Sequence, residues 1–281
     1  MSVLDLSVET LAMALGCTAA VPLALMLASG PLAAAPAPAL SPCAAPAPLG
    51  PAVLAVGQRF LGRPYEAGSL DTTGTRERLV CRTDAFDCVT FVENALAIAR
   101  AQRAADPAGY PGQLERLRYR RGRRDGYASR FHYFSEWIQD NGERGLVRDC
   151  SEAFGGVADP RPLHFMTRHR DAYPALKNPH LFRSIEQIET QLNLRPRFYI
   201  PTERVPAALP RIQDGDILAI TTRIDGLDVC HVGLAWRQTD GQVHLLHASS
   251  DGASVQLSDR HLLDYLRARS SRTGIMVARP L

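Results

Sequence analysis

Residues 86–93 read FDCVTFVE, and how this stretch folds decides the architecture. Cys88 stands where an apolar helix begins. Val89, Val92, Leu96 and Ala99 recur at helical spacing, which predicts a helix from Cys88 to about Arg103. Asp87 is placed to cap it. A thiol at a helix N-terminus sits beside unpaired backbone N–H groups and the positive end of the helix dipole. That setting favours thiolate and lowers a cysteine pKa from about 8.5 toward roughly 4–7. The competing reading is a buried core cysteine, a common place for a free thiol. Residues elsewhere in the chain separate the two.

Toward the C-terminus the texture turns to β from Gly215 onward. DILAITT, DVCHVGLAW, QVHLLHASS and GIMVARP read as strands, with a short helix at 258–269 before the last. Toward the N-terminus, residues 51–62 read as a short helix and 61–71 (LGRPYEAGSLD) as turns. Between lie a short helix at 113–118, a basic run carrying Arg120, Arg121, Arg123 and Arg124, and SRFHYFSEWIQDN at 129–141, read as a helix capped by Ser129. Residues 142–182 are irregular, and 182–194 is helical. Helices first and a clustered antiparallel sheet later give an α+β fold.

Strand faces alternate, so in DVCHVGLAW His231, Gly233 and Ala235 share one face and Cys230 the other. The small residues beside His231 leave room above it. On the next strand His247 and Ser249 share a face, with His244 opposite. A two-residue turn at Asp240-Gly241 would bring His244 to the face of His231. A three-residue loop of Thr239, Asp240 and Gly241, with Gly241 left-handed, shifts the register by one. Gly233 then faces His247, Ser249 faces His231, and the two histidines lie diagonally within imidazole reach. The three-residue register is the one expected. The implied chemistry is thiolate–imidazole: Cys88 attacks a carbonyl, His231 takes and returns the proton, and His247 holds the His231 ring in one tautomer. The Cys88 N–H and the Tyr65 hydroxyl are the candidate oxyanion donors.

The whole chain of 281 residues carries a net charge of +3, too small to argue for a nucleic-acid partner. Residues 1–50 contain no Lys or Arg and only Asp5 and Glu9, so the remainder carries +5. An Ala/Leu-rich run over 11–35 passes into an Ala/Pro linker. It reads as a leader with an A-x-A region near 32–35, although no positive charge precedes it. Residues 1–50 are therefore expected to be leader and linker, and 51–281 a single catalytic domain. The expected location is periplasmic or secreted, with a membrane-anchored chain as the alternative. The six cysteines show neither a C-x-x-C pair nor zinc spacing. Export would allow a Cys81–Cys150 disulfide, which the sequence does not establish.

Three segments in this order resemble the NlpC-type branch of papain-like cysteine hydrolases: GRPYEAG at Tyr65, FDCVTFVE at Cys88, and GDILAI followed by CHVGLAW at His231. The longer series DCVTFVE, SRFHYFSEWIQDN, GDILAITT, LDVCHVGLA and HASS narrows the resemblance to the N-acetylmuramoyl-L-alanine amidase-like branch, over roughly residues 52–280. It implies a papain-like, NlpC-type fold in which the Cys opens a helix packed on a small antiparallel sheet. It implies Cys88 as nucleophile, His231 as base and acid, His247 as orienting residue and Tyr65 at the oxyanion region. The reaction implied is hydrolysis of the amide between the lactyl group of N-acetylmuramic acid and L-alanine, on released, anhydro-type muropeptides. No cofactor, metal or obligate protein partner is implied.

The long Cys–His separation marks 105–205 as an insertion building substrate walls, with Arg130, His132, Tyr133 and Trp137 as candidate wall residues. Glu93 and Ser249 are read either as supports of the site or as structural residues. The Arg120–Arg124 run is read as a solvated turn, with attraction of anionic murein as the alternative. Rival readings are a D-glutamyl-diamino acid endopeptidase, a catalytically idle murein-binding protein, and a zinc site built from Cys88, His231 and His247.

Overall fold

The computed structural model describes residues 47–70, 77–104 and 107–281, all within one compact unit. The leader reading, with its cleavage region and with Cys17 and Cys43, lies outside the described residues. Among the described residues no helix is long and apolar enough to cross a membrane.

The helices are α1 (Gly50–Gln58), α2 (Cys88–Ala104), α3 (Gly109–Arg118), α4 (Phe134–Glu143), α5 (Phe165–Arg168), α6 (Pro179–Leu192), α7 (Val205–Ala208) and α8 (Leu262–Arg267). The strands are β1 (Val147–Asp149), β2 (Val157–Ala158), β3 (Phe198–Pro201), β4 (Ile217–Thr222), β5 (Val229–Arg237), β6 (Val243–Ser249), β7 (Ser254–His261) and β8 (Arg272–Pro280). They form one sheet in the order β2-β3-β8-β4-β5-β6-β7, with β1 also on β8. Each pairing is antiparallel.

Two layers cover the sheet. On one face, Phe91, Val92, Ala95, Leu96 and Ala99 of α2 pack with α1 against Val232, Leu234, Leu246 and Ala248. On the other, Leu262 and Leu266 of α8 pack with Leu218, Ile220, Ala235, Val243 and Leu245. Each large aliphatic or aromatic side chain so buried contributes roughly 1.5–3 kcal/mol. A third cluster, with Tyr133, Leu163, Met166, Leu176 and Ile185, organises the segment between α4 and β3. The α+β expectation therefore holds, with an antiparallel sheet clad by helices.

Local boundaries depart from the sequence reading in places that have physical causes. Ser129 does not cap α4. Its hydroxyl donates to Gly126 O at 2.7 Å and accepts from Asp125 N at 2.8 Å, closing a turn that ends five residues before the helix starts. The stretch read as helix from 258 begins as strand, because β7 continues to His261 opposite His244 before α8 starts. Residues 142–182 hold β1, β2, α5 and the start of α6. Cys81 and Cys150 are free thiols, the first exposed and the second buried, so the disulfide allowed by the sequence is not formed.

Candidate active site

The start of α2 is built by a reciprocal pair. Thr90 N donates to Asp87 Oδ1 at 2.7 Å and Asp87 N donates to Thr90 Oγ1 at 2.9 Å, the side chains exchanging roles across the first turn. This fixes Cys88 at the helix N-terminus, half-buried. It borders a cleft of about 170 Å³ with Val89, His132, Tyr133, Trp137, Asp228, Cys230 and His231 among the lining residues.

The β5–β6 hairpin has the expected register. Leu234 faces Leu246 and Trp236 faces His244; continued, this sets Gly233 against His247. Gln238 N donates to Gln242 O at 2.8 Å around the three-residue loop, and Gly241 takes the left-handed φ of 81°. The imidazoles of His231 and His247 meet at 2.7 Å, Nε2 to Nδ1, with their rings nearly perpendicular at 88°. His231 Nδ1 is thus the nitrogen left for the cleft. His247 is only 2% exposed and backs His231 from behind.

The strict alternation expected along β5 is interrupted at Cys230, whose thiol donates to Ile220 O at 3.6 Å. β5 carries an extra residue between the pairs Ile220–His231 and Thr221–Val229, a bulge that breaks the alternation and re-aims neighbouring side chains. Cys230 and His231 consequently both border the cleft. The bulge sits at the start of β5, and His231 both borders the cleft that Cys88 borders and lies 6.4 Å, ring to ring, from Tyr265 of α8.

Electrostatics also correct the thiolate expectation. Burial pushes the Cys88 thiol up to about 12, and the neighbouring Asp87 carboxylate adds to the rise, while the Val232 and Val89 N–H groups oppose it. Desolvation outweighs the helix terminus. Burial, then His247, then Arg272 and Arg269 hold His231 well below the ordinary imidazole range. Burial and Arg272 hold His247 at about 4, against Asp251. Both directions favour the neutral forms, a thiol at Cys88 and an uncharged imidazole at His231. No hydrogen bond joins Cys88 to His231 among the described residues. Burial pushes the Tyr65 hydroxyl up to about 12, with the neighbouring Cys88 and Asp87 adding to the rise, so Tyr65 stays a protonated donor.

The candidate wall residues divide. His132, Tyr133 and Trp137 line the cleft. The Tyr133 hydroxyl donates to Glu189 at 2.7 Å and accepts from Met166 N at 3.1 Å, and the His132 ring lies on Tyr127 at 4.6 Å. Arg130 is elsewhere: it is buried, donates to Leu70 O at 2.8 Å and lies over the Tyr127 ring. Ser249 is also outside the lining, its hydroxyl accepting from Gly252 N at 3.1 Å in the turn after β6. Glu93 is not among the lining residues and pairs with Arg118 at 2.7 Å.

Asp228 was not singled out in the sequence. It is 1% exposed, and its carboxylate accepts from Ser135 N at 2.7 Å and from Val229 N at 2.8 Å. It therefore caps α4 from 93 residues away, joining the Trp137 wall to the strand of His231. An Asp just before an alternating strand was the available signal, but its partner is distant in sequence. Asp228→Ala should cost about 1–3 kcal/mol, measured by urea denaturation.

The family pattern of N-acetylmuramoyl-L-alanine amidase-like (AmiA-like) proteins matches residues 55–275. The chain belongs to this family. A crystal structure of an N-acetylmuramoyl-L-alanine amidase from Bacteroides uniformis superposes with a TM-score of 0.79 at 35% identity, covering 83% of this chain and 99% of that one. A Bacteroides fragilis structure, described as a proposed xylanase, gives 0.76 at 39% identity, covering 80% and 99%. A Legionella pneumophila protein shares the fold, with a TM-score of 0.61 at 21% identity over 83% and 89%. No curated protein matches.

Proposed function

We propose that the protein is a cysteine-dependent amidase of the papain-like, NlpC-type class. It cleaves between the lactyl carbonyl of N-acetylmuramic acid and the amine of L-alanine in released, anhydro-type muropeptides. The observation that carries this is the shared cleft of Cys88 and His231, with His231 Nε2 engaged by His247 at 2.7 Å. Family membership supplies the bond class.

In this reading His231 Nδ1 receives the Cys88 proton as the sulfur attacks. Both groups begin neutral, so the step creates a thiolate–imidazolium pair whose charges offset each other, and the α2 N-terminus favours the anion. The Cys88 N–H and the Tyr65 hydroxyl take up oxyanion charge. His231 returns the proton to the leaving alanine amine, giving a thioester on the muramoyl side. Water, deprotonated by His231, then releases the acid. The role of His247 is to hold the ring so that Nδ1 faces the sulfur.

Two observations favour this over rivals. Glycoside cleavage uses two carboxylates, whereas among the described lining residues Asp228 is the only carboxylate and it caps α4. Among the described residues no group of three or more His, Cys, Asp or Glu side chains is placed to hold a metal ion. The chemistry alone does not separate amidase from endopeptidase. Product analysis by mass spectrometry does: with an anhydro-muropeptide the expected products are intact peptide and free anhydro-sugar acid. A dipeptide left on the sugar points to the endopeptidase and overturns the amidase reading.

Export of the chain belongs to the same proposal, since wall fragments form outside the cytoplasmic membrane. N-terminal sequencing of the mature protein is expected to start beyond the apolar run.

A further inference from the structure

Behind the two histidines stands a cluster that the proposed chemistry does not use. The Tyr265 ring of α8 lies 5.6 Å from the His247 ring, nearly perpendicular at 79°, and 6.4 Å from the His231 ring. The guanidinium of Arg272, the first residue of β8, sits 3.9 Å from the Tyr265 ring centroid, in cation–π geometry. It also donates to Tyr265 O, tying strand to helix. One aromatic ring thus touches both imidazoles and carries a cation on its face.

The surrounding charges single out Arg272. Cys88 comes from α2, Asp228 and Cys230 from β5, His247 from β6, and Asp251 from the turn after β6. Tyr265 comes from α8, Arg269 from the turn beyond it, and His132 from the segment before α4. Asp228 is held by Ser135 and Val229. Asp251 pairs with Arg269, so those two charges largely offset. No carboxylate pairs with Arg272 among the described residues. A half-buried, uncompensated cation acts through a lower effective dielectric than a surface one.

We propose that Tyr265 and Arg272 are positioning residues for His231: the ring holds the crossed imidazoles, and the guanidinium on it is the fixed charge that disfavours a second charge beside it. This rests on the reading of His231 as proton acceptor. The consequence is a base that stays unprotonated in acid. The direction for both histidines agrees, since Arg272 is among the charges holding each of them down. The sign follows: a His whose active form is neutral works down to its own pKa. Removing the cation raises that pKa and moves the acid limb of activity to higher pH.

The test follows the His231 and His247 ring resonances by ¹⁵N NMR titration of the full chain, in wild type and in Arg272→Gln, Arg272→Lys and Tyr265→Leu. In wild type both midpoints are expected below about 6.5. Arg272→Gln should raise them, and the acid limb of kcat/KM, by about one pH unit. Arg272→Lys should restore most of the shift, which a merely structural arginine would not allow. Tyr265→Leu should lower kcat more than it changes KM. A wild-type midpoint at or above the ordinary imidazole value overturns the proposal without any variant, as do unchanged midpoints in folded Arg272→Gln. The titration needs no muropeptide. Wild type that titrates as expected but releases no peptide sinks the amidase reading alone, and cleavage with unmoved midpoints sinks this inference alone.

Discussion

Cys88→Ala should lower kcat/KM on an anhydro-muropeptide by at least ~10⁴-fold, the scale seen when a covalent nucleophile is removed. The fold should remain. The start of α2 is closed by Asp87 and Thr90 through bonds that do not involve the thiol, and the Cys88 side chain is only half-buried. Circular dichroism and the melting temperature should therefore match wild type while released peptide, quantified by mass spectrometry, falls to background. Retention of more than about a tenth of the activity would mean that no thioester forms. The cleft would then need a different nucleophile, and among its described lining residues the remaining thiol is Cys230. The double variant with Cys230→Ala separates that case from contamination.

The resting charge state shapes how this result is read. A pre-formed thiolate would label rapidly with iodoacetamide at neutral pH. Here burial raises Cys88 and lowers His231, so deprotonation waits for the approach of a carbonyl. The helix N-terminus then stabilises a charge created during reaction, where it is more useful than in the ground state.

Periodicity carried much of the fold. The α2 apolar positions recur at helical spacing, although the helix is buried on every side from Thr90 to Ala97, and the pairing of β5 with β6 follows the alternation from Leu234 to Arg237. The hairpin register was legible because a left-handed glycine at 241 selects the three-residue loop, and from that alone the meeting of His231 and His247 follows. What escaped the sequence was nonlocal. The bulge at Cys230 has no signature in the strand itself; it arises where β5 must leave the register of β4. The cap of α4 comes from Asp228, 93 residues away, whereas sequence proximity points only to a local serine. Arg130 looked free to bind a carboxylate, but the backbone carbonyl of Leu70 and the ring of Tyr127 hold it. The thiol's protonation has the same nonlocal origin: the helix terminus is visible in sequence, while the depth of burial is set by every element packed around it.

The largest stability effect should come from Arg118→Met. Arg118 Nε donates to Glu93 Oε2 at 2.7 Å, with side-chain exposures of 1% and 2%, and the same guanidinium donates to Val80 O at 2.6 Å. The pair joins the second turn of α2 to the end of α3. Two buried charges held together roughly offset their desolvation, but one left alone does not. Removing Arg118 strands the Glu93 carboxylate and should cost about 3–5 kcal/mol, lowering Tm by roughly 6–20 °C for a domain of this size. Glu93→Leu with Arg118→Met should recover most of the loss, because an apolar pair of similar volume removes both desolvation costs. Calorimetry of the two variants checks this. If the double variant melts as low as the single one, the loss comes from the packing of the Arg118 stem and its bond to Val80. If the single variant melts within about 2 °C of wild type, α2 is held by its apolar face alone. Cys88 would then owe its position to that face and to the Asp87–Thr90 exchange, with no contribution from the buried ion pair one turn further along.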